Sequence, residues 1–215
     1  MKKLIFYSFC LLLTGCFNIT ETVKYGTNHS GSYGLQVDFS NSWLKTKTAI
    51  MLEEVEGTKI PNEAEIKSRL LQFKTTISKI NGISDIVTST DFDHYIFKVQ
   101  FHFQSLEALN KALNQLDNQK KIVHFKEDKG QFERIAAYPL PKKLIEKEDK
   151  KDDLLKAYIM AIYTFDTEIL SAQNAASKIS KSKKTVFLKH NVWSVLQHTA
   201  QMDNKIELKT NNLTQ

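Results

Sequence analysis

The chain has 215 residues, with 30 basic and 24 acidic side chains and a formal charge of +6. Almost all of the positive charge is lysine, since Arg69 and Arg134 are the only arginines. Nucleic-acid and phosphate sites lean on bidentate arginine forks, so this balance argues against a nucleic-acid partner and fits a solvated surface with a mild preference for anionic neighbours.

The N-terminus opens Met1-Lys2-Lys3, runs apolar from Leu4 to Leu13 and closes on Thr14-Gly15-Cys16. A positive start, a short apolar core and a small-residue boundary describe a secretory signal peptide. The apolar run is about half of the roughly 20 residues that a spanning helix requires. Leu13-Thr14-Gly15-Cys16 resembles the lipobox of bacterial lipoproteins. The resemblance implies cleavage between Gly15 and Cys16 and a diacylglycerol on the Cys16 thiol. A single acyl chain anchors only marginally, at about 0.8 kcal/mol per buried CH₂, whereas two or three hold a domain at a membrane.

Loss of residues 1–15 has further consequences. Cys10 leaves with the leader, and Cys16 is then the only cysteine of the mature chain. With that thiol lipidated, a disulfide, a cysteine nucleophile and a cysteine metal site are all excluded. Lys2 and Lys3 leave as well, so 28 basic side chains face 24 acidic ones, a net charge of about +4. A domain of this size buries enough core to fold without disulfides.

Residues 17–40 predict a hairpin. Ile19 to Tyr25 alternates, Gly26-Thr27-Asn28-His29-Ser30-Gly31 supplies the turn, and Tyr33, Leu35, Val37 and Phe39 share one face of the return strand. Trp43 to Leu52 reads as a short helix. The clearest helix is 62–80: Pro61 suits its first turn, Glu63 and Glu65 its positive end, and Ile66, Leu70, Phe73, Ile77 and Ile80 form one stripe. Asn81-Gly82 ends it.

Two strands follow, Ile83–Ser89 and Tyr95–Phe103, joined by a turn at Asp91-Phe92-Asp93. In the second, Tyr95, Phe97, Val99, Phe101 and Phe103 point one way, and Ile96, Lys98, Gln100 and His102 point the other. Ser105 caps a helix with the stripe Leu106, Leu109, Leu113 and Leu116. Short strands at Ile122–Phe125 and Phe132–Ala137 flank Asp128-Lys129-Gly130.

The order strand, helix, strand, strand, helix, strand predicts an α+β fold: a ferredoxin-like split βαβ core, preceded by the added N-terminal hairpin strand. On this reading the first domain spans 16–140. Residues 141–153 are dense in mixed charge and form a linker or a solvated helix. Residues 154–215 carry strands at Leu155–Phe165, Glu168–Ala172, Thr185–Lys189 and Lys205–Leu208, with a helical turn or two at Asn191–Gln197. They form a small antiparallel β unit, either a subdomain or an extension of the first sheet.

The layout, together with the late strand followed by Ala175-Ala176-Ser177-Lys178 and Lys184-Thr185-Val186-Phe187, resembles LppM-type bacterial lipoproteins. Those proteins carry a glycine and an aspartate in that turn and commonly a tryptophan where Phe187 stands. The resemblance implies an envelope protein without demonstrated catalysis, binding a lipid or another envelope protein. Phe17 rather than aspartate follows Cys16, and no acidic run comes after it. By resemblance to lipoprotein sorting rules, that implies the outer membrane, facing the periplasm.

Catalytic and metal chemistry find little support. His94 and His102 lie about 26 Å apart on one strand at the usual rise, too far for one metal. Asp85, Asp91 and Asp93 lack the ligand alternation of a calcium loop, so turn chemistry explains them better. No nucleophile-elbow, zincin, phosphate-loop or dinucleotide glycine motif occurs. No cofactor is expected. Tyr95, Phe97, Phe101 and Phe103 remain as the candidate lining of an apolar-ligand pocket. The expected function is a membrane-anchored, non-catalytic binding or assembly module. An apolar-ligand carrier and an envelope enzyme with an unrecognised acid/base pair are the alternatives.

Overall fold

The computed structural model describes residues 17–55, 58–116, 122–135 and 151–210. The expected signal peptide, with Gly15, and the expected lipid site Cys16 lie outside the described residues, as do 136–150, which hold most of the expected charged linker.

The elements in chain order are β1 (Asn18–Tyr25), β2 (Gly31–Asp38), a 3₁₀ turn (Ser40–Ser42), α1 (Trp43–Leu52), β3 (Glu54–Val55), β4 (Thr58–Lys59), α2 (Glu63–Ile77), β5 (Ile83–Asp91), β6 (Ile96–Phe103) and α3 (Leu106–Leu116). After these come β7 (Phe125–Asp128), β8 (Gln131–Arg134), α4 (Lys151–Lys156), β9 (Tyr158–Phe165), β10 (Ile169–Ala172), β11 (Lys178–Ile179), β12 (Thr185–Asn191), α5 (Val192–Leu196) and β13 (Asn204–Leu208). The fold is mixed α+β and mostly sheet.

A seven-stranded sheet runs β11-β12-β9-β1-β2-β6-β5, and a four-stranded antiparallel sheet runs β10-β13-β8-β7. In the large sheet β1 and β9 pair in parallel, whereas the other neighbours are antiparallel. One face of this sheet carries the core. It presents Ile159, Tyr163 and Phe165 from β9, Val23 and Tyr25 from β1, Tyr33 and Val37 from β2, and Phe97, Val99, Phe101 and Phe103 from β6. Alternation puts Thr20, Thr22 and Lys24 of β1 on the opposite face.

Two kinds of cover share the core face. Over β5 and β6 lie α2 and α3, each with one apolar stripe: Ile66, Phe73 and Ile77 on α2, Leu109, Ala112 and Leu113 on α3. Over β1 and β9 lies the small sheet. Its Phe132 ring sits 5.1 Å from Tyr25, 5.7 Å from Phe125, 6.1 Å from Tyr163 and 5.1 Å from Phe165. Tilted and edge-on pairs at such spacings pack well and add to area burial.

The ferredoxin-like expectation needs correction. Its last strand, Phe125–Asp128, leaves for the small sheet, whereas the antiparallel order β2-β6-β5 is the one such a core has. Beyond β2 the sheet continues through β1 and β9, so that edge is already occupied. The segment after 154 likewise divides, β9, β11 and β12 joining the large sheet and β10 and β13 the small one. Its leading strand makes a parallel pairing rather than an antiparallel unit.

Smaller differences have local causes. Pro61 precedes the helix and Asn62 is its N-cap, accepting from the Glu65 backbone N–H at 3.0 Å. Residues 122–124 are irregular, and Leu155 belongs to α4.

Candidate functional site

Alternation along β1 turns Ile19, Glu21, Val23 and Tyr25 toward the core, so one carboxylate sits in an apolar row between Ala161 and Leu35. The same rule on β8 points Phe132 and Arg134 inward. The two charges meet where the sheets touch, both almost completely buried. Arg134 Nε donates to Glu21 Oε1 at 3.0 Å and Nη2 to Oε2 at 2.8 Å, a bidentate fork. The Tyr163 hydroxyl donates to Oε1 at 2.9 Å, and that of Tyr33 reaches Oε2 at 3.5 Å. Arg134 Nη1 donates to the Ile135 carbonyl at 2.7 Å, and the guanidinium lies 4.6 Å from the centre of the Phe125 ring.

His124 borders this centre. Its Nε2 lies 3.2 Å from Asn114 Oδ1, and Asn110 Oδ1, one turn earlier on α3, accepts from the backbone N–H groups of His124 and Phe125 at 2.9 Å each. Burial, then the Arg134 charge, pushes the His124 pKa down to about 4, against a smaller pull upward from Glu21. At neutral pH the ring is therefore uncharged.

Chemically this centre is a satisfied ion pair. Four donors hold the carboxylate, and the pair joins β1 of one sheet to β8 of the other. Its signal in the sequence is a charge at an inward position of an alternating strand, plus one of only two arginines at the matching position of another. Reading strands for their apolar members alone passes over it.

The four aromatic candidates do not act together. Phe97, Phe101 and Phe103 lie inward on β6. Tyr95 precedes the strand with φ 56°, its ring buried edge-on to Phe92 at 6.3 Å and its carbonyl accepting from Phe39 N–H at 3.1 Å. A left-handed tyrosine is uncommon, and the buried ring holds it there. Phe101 stacks on Tyr33 and Phe103 on Tyr25 as core.

Phe103 borders a pocket beside Lys24, Ser32 and His102, and Phe97 borders an apolar groove of about 90 Å³ between α2 and the β2–β6 face. Leu35, Val37, Pro61, Ile66, Leu70, Phe73, Val99 and Leu116 supply the rest of its apolar wall, with Arg69 and Lys98 completing the lining. A wider polar cleft of about 540 Å³ lies elsewhere, among Glu133, His190, His198, Gln201, Asp203 and Lys205.

The remaining candidates separate. Asp91 accepts from the N–H groups of Asp93 and His94 at 2.9 and 3.1 Å and pairs with the His94 ring at 2.9 Å, a self-contained turn. Asp85 stands apart from it and pairs with His102 at 2.8 Å. Among the described residues no group of three or more His, Cys, Asp or Glu side chains is placed to hold a metal, and no helix is long and apolar enough to cross a membrane.

No protein-family model matches the chain, and no curated protein matches it. Among solved structures, the similarity to one runs across nearly the whole length: the NMR structure of the folded domain of LppM from Mycobacterium tuberculosis, covering 94% of this chain and 95% of that one, at 9% identity and a TM-score of 0.42.

Proposed function

We propose that this chain is a membrane-anchored bacterial envelope lipoprotein that works by binding, as a non-catalytic recognition or assembly module. The anchor is the lipid that the lipobox resemblance implies at Cys16, and the binding element is the groove between α2 and the β2–β6 face. The observation that carries the reading is the groove's wall: eight apolar side chains and Phe97 around an opening that remains unfilled by the protein's own core.

Its size favours one of two ligand classes. Sites that enclose a whole small molecule run to roughly 300 Å³ or more. At about 90 Å³ this groove seats one apolar side chain or a short stretch of hydrocarbon, which fits a contact point on a partner better than a carrier's pocket. Glu21 lends no support to the acid/base alternative, because its carboxylate is held by Arg134 and two tyrosines.

The test is a photo-crosslinking residue at position 70, inside the groove, and at position 71, whose leucine is exposed. In native membranes the reading expects a discrete adduct from position 70 and none from position 71. Equal labelling from both, or none from position 70, contradicts it.

A further inference from the structure

The helix α1 is apolar on both sides. Thr46, Ala49 and Ile50 are buried against the protein. The opposite side carries Leu44, Met51 and Leu52, exposed by 61%, 74% and 64%, with Trp43 at its flank exposed by 48%. At 100° per residue, Leu44, Thr48 and Met51 form the middle of that outward side, with Lys47 and Lys45 at its two borders. Scattered exposed apolar residues are ordinary, but four on one ten-residue helix are a patch, and such patches mark contact surfaces.

The position of this helix says what covers the patch. Phe17, one residue after Cys16, is buried with its ring 5.7 Å from Phe39. Phe39 leads through the Ser40–Ser42 turn directly into α1. On its other side the Phe17 carbonyl accepts from Tyr158 N–H at 3.3 Å, beside α4, and α4 is tied to α1 by Lys45 Nζ to Asp153 at 3.2 Å. Phe17 thus enters the fold beside the start of α1 and the end of α4. Consecutive Cα atoms are about 3.8 Å apart, so a lipid on Cys16 leaves almost no tether between the bilayer and this end of the molecule.

We propose that α1 lies in the surface layer of the membrane that holds the Cys16 lipid, with Leu44, Met51 and Leu52 among the acyl-chain ends and Trp43 at the headgroups. Tryptophan concentrates at that boundary, and lysines at the borders of an apolar stripe reach past it to phosphates. The helix turns a mobile lipid tether into a fixed orientation, setting the large sheet at a defined tilt above the bilayer. This inference rests on the anchor at Cys16, and its test separates the two.

The lipidated protein is reconstituted into vesicles of phosphatidylethanolamine and phosphatidylglycerol containing brominated phosphatidylcholine. Mass spectrometry of the same sample reads the lipid on Cys16. The chain has two tryptophans, so the difference between wild type and Trp43→Phe isolates Trp43. With Cys16 lipidated, bromine quenches the Trp43 emission, and Leu44→Glu with Met51→Glu, both on the surface, abolishes the quenching. Lipidated protein whose Trp43 is unquenched overturns the inference and leaves the anchor standing; a patch covered by a second copy or another protein gives that outcome. Unlipidated Cys16 overturns both.

Discussion

At the scale of single residues, the buried pair Glu21–Arg134 joins the two sheets. Removing one partner of a buried ion pair leaves an uncompensated charge, which costs about 3–5 kcal/mol. Glu21→Leu therefore lowers stability by that order in urea denaturation. Glu21→Leu combined with Arg134→Met restores most of it, because no charge then remains buried. A double variant as unstable as the single one would falsify the pairing as the reason for the loss.

His124 gives the pair a pH signature. Its folded pKa of about 4 lies below its unfolded value of 6.5, so the unfolded chain binds the proton more readily between them. The contribution is fully present above pH 6.5 and is lost as pH falls toward 4, by roughly 3 kcal/mol from a shift of this size. Denaturation at pH 7 and pH 4.5 reads that loss in wild type, and His124→Gln flattens it. An unchanged slope in the variant would place the acid sensitivity elsewhere.

At the scale of elements, much was legible. The alternations of 19–25, 33–39 and 95–103 found β1, β2 and β6, and the 3–4 spacing of Ile66, Phe73 and Ile77 found α2. Trp43–Leu52 matches α1 to the residue. Errors gathered where a local rule met a tertiary demand. Tyr95 continues the strand's alternation in sequence, yet its backbone turns left-handed so that its ring can bury beside Phe92. The sheet order was not legible, because no local pattern states that β9 will lie parallel to β1 across more than 130 residues. Glu21 was missed for a related reason: its partner is 113 residues away.

The hairpin between β1 and β2 offers a test at this scale. A Cβ on Gly31 would stand 1.9 Å from the Lys24 carbonyl oxygen and 2.8 Å from the Phe103 ring. Gly31→Ala must therefore push apart the β1–β2 pairing at its tip, a loss of about 2 kcal/mol or more, large for a single methyl. Calorimetry showing an unchanged melting temperature would mean that the strands pair less closely there.

At the scale of the whole molecule, one large sheet is covered on its core face by two helices and a small sheet, joined at their seam by Glu21 and Arg134. Three features are distributed around it. The groove beside α2 suits an apolar contact, α1 turns a second apolar surface outward, and the chain enters between α1 and α4 directly after Cys16. Together they support the proposal of a protein held close to a bilayer and presenting a binding face from there. The membrane part of that proposal depends on Cys16 being the anchor.

That dependence makes the mature N-terminus the decisive measurement. The protein is isolated from bacterial membranes, digested, and its N-terminal peptide is weighed by mass spectrometry. The account predicts a peptide that begins at Cys16 and carries a diacylglycerol on its thiol, and a Cys16→Ser variant that is neither lipidated nor retained in the membrane fraction. A peptide that begins elsewhere, or an unmodified Cys16 in membrane-bound protein, contradicts it.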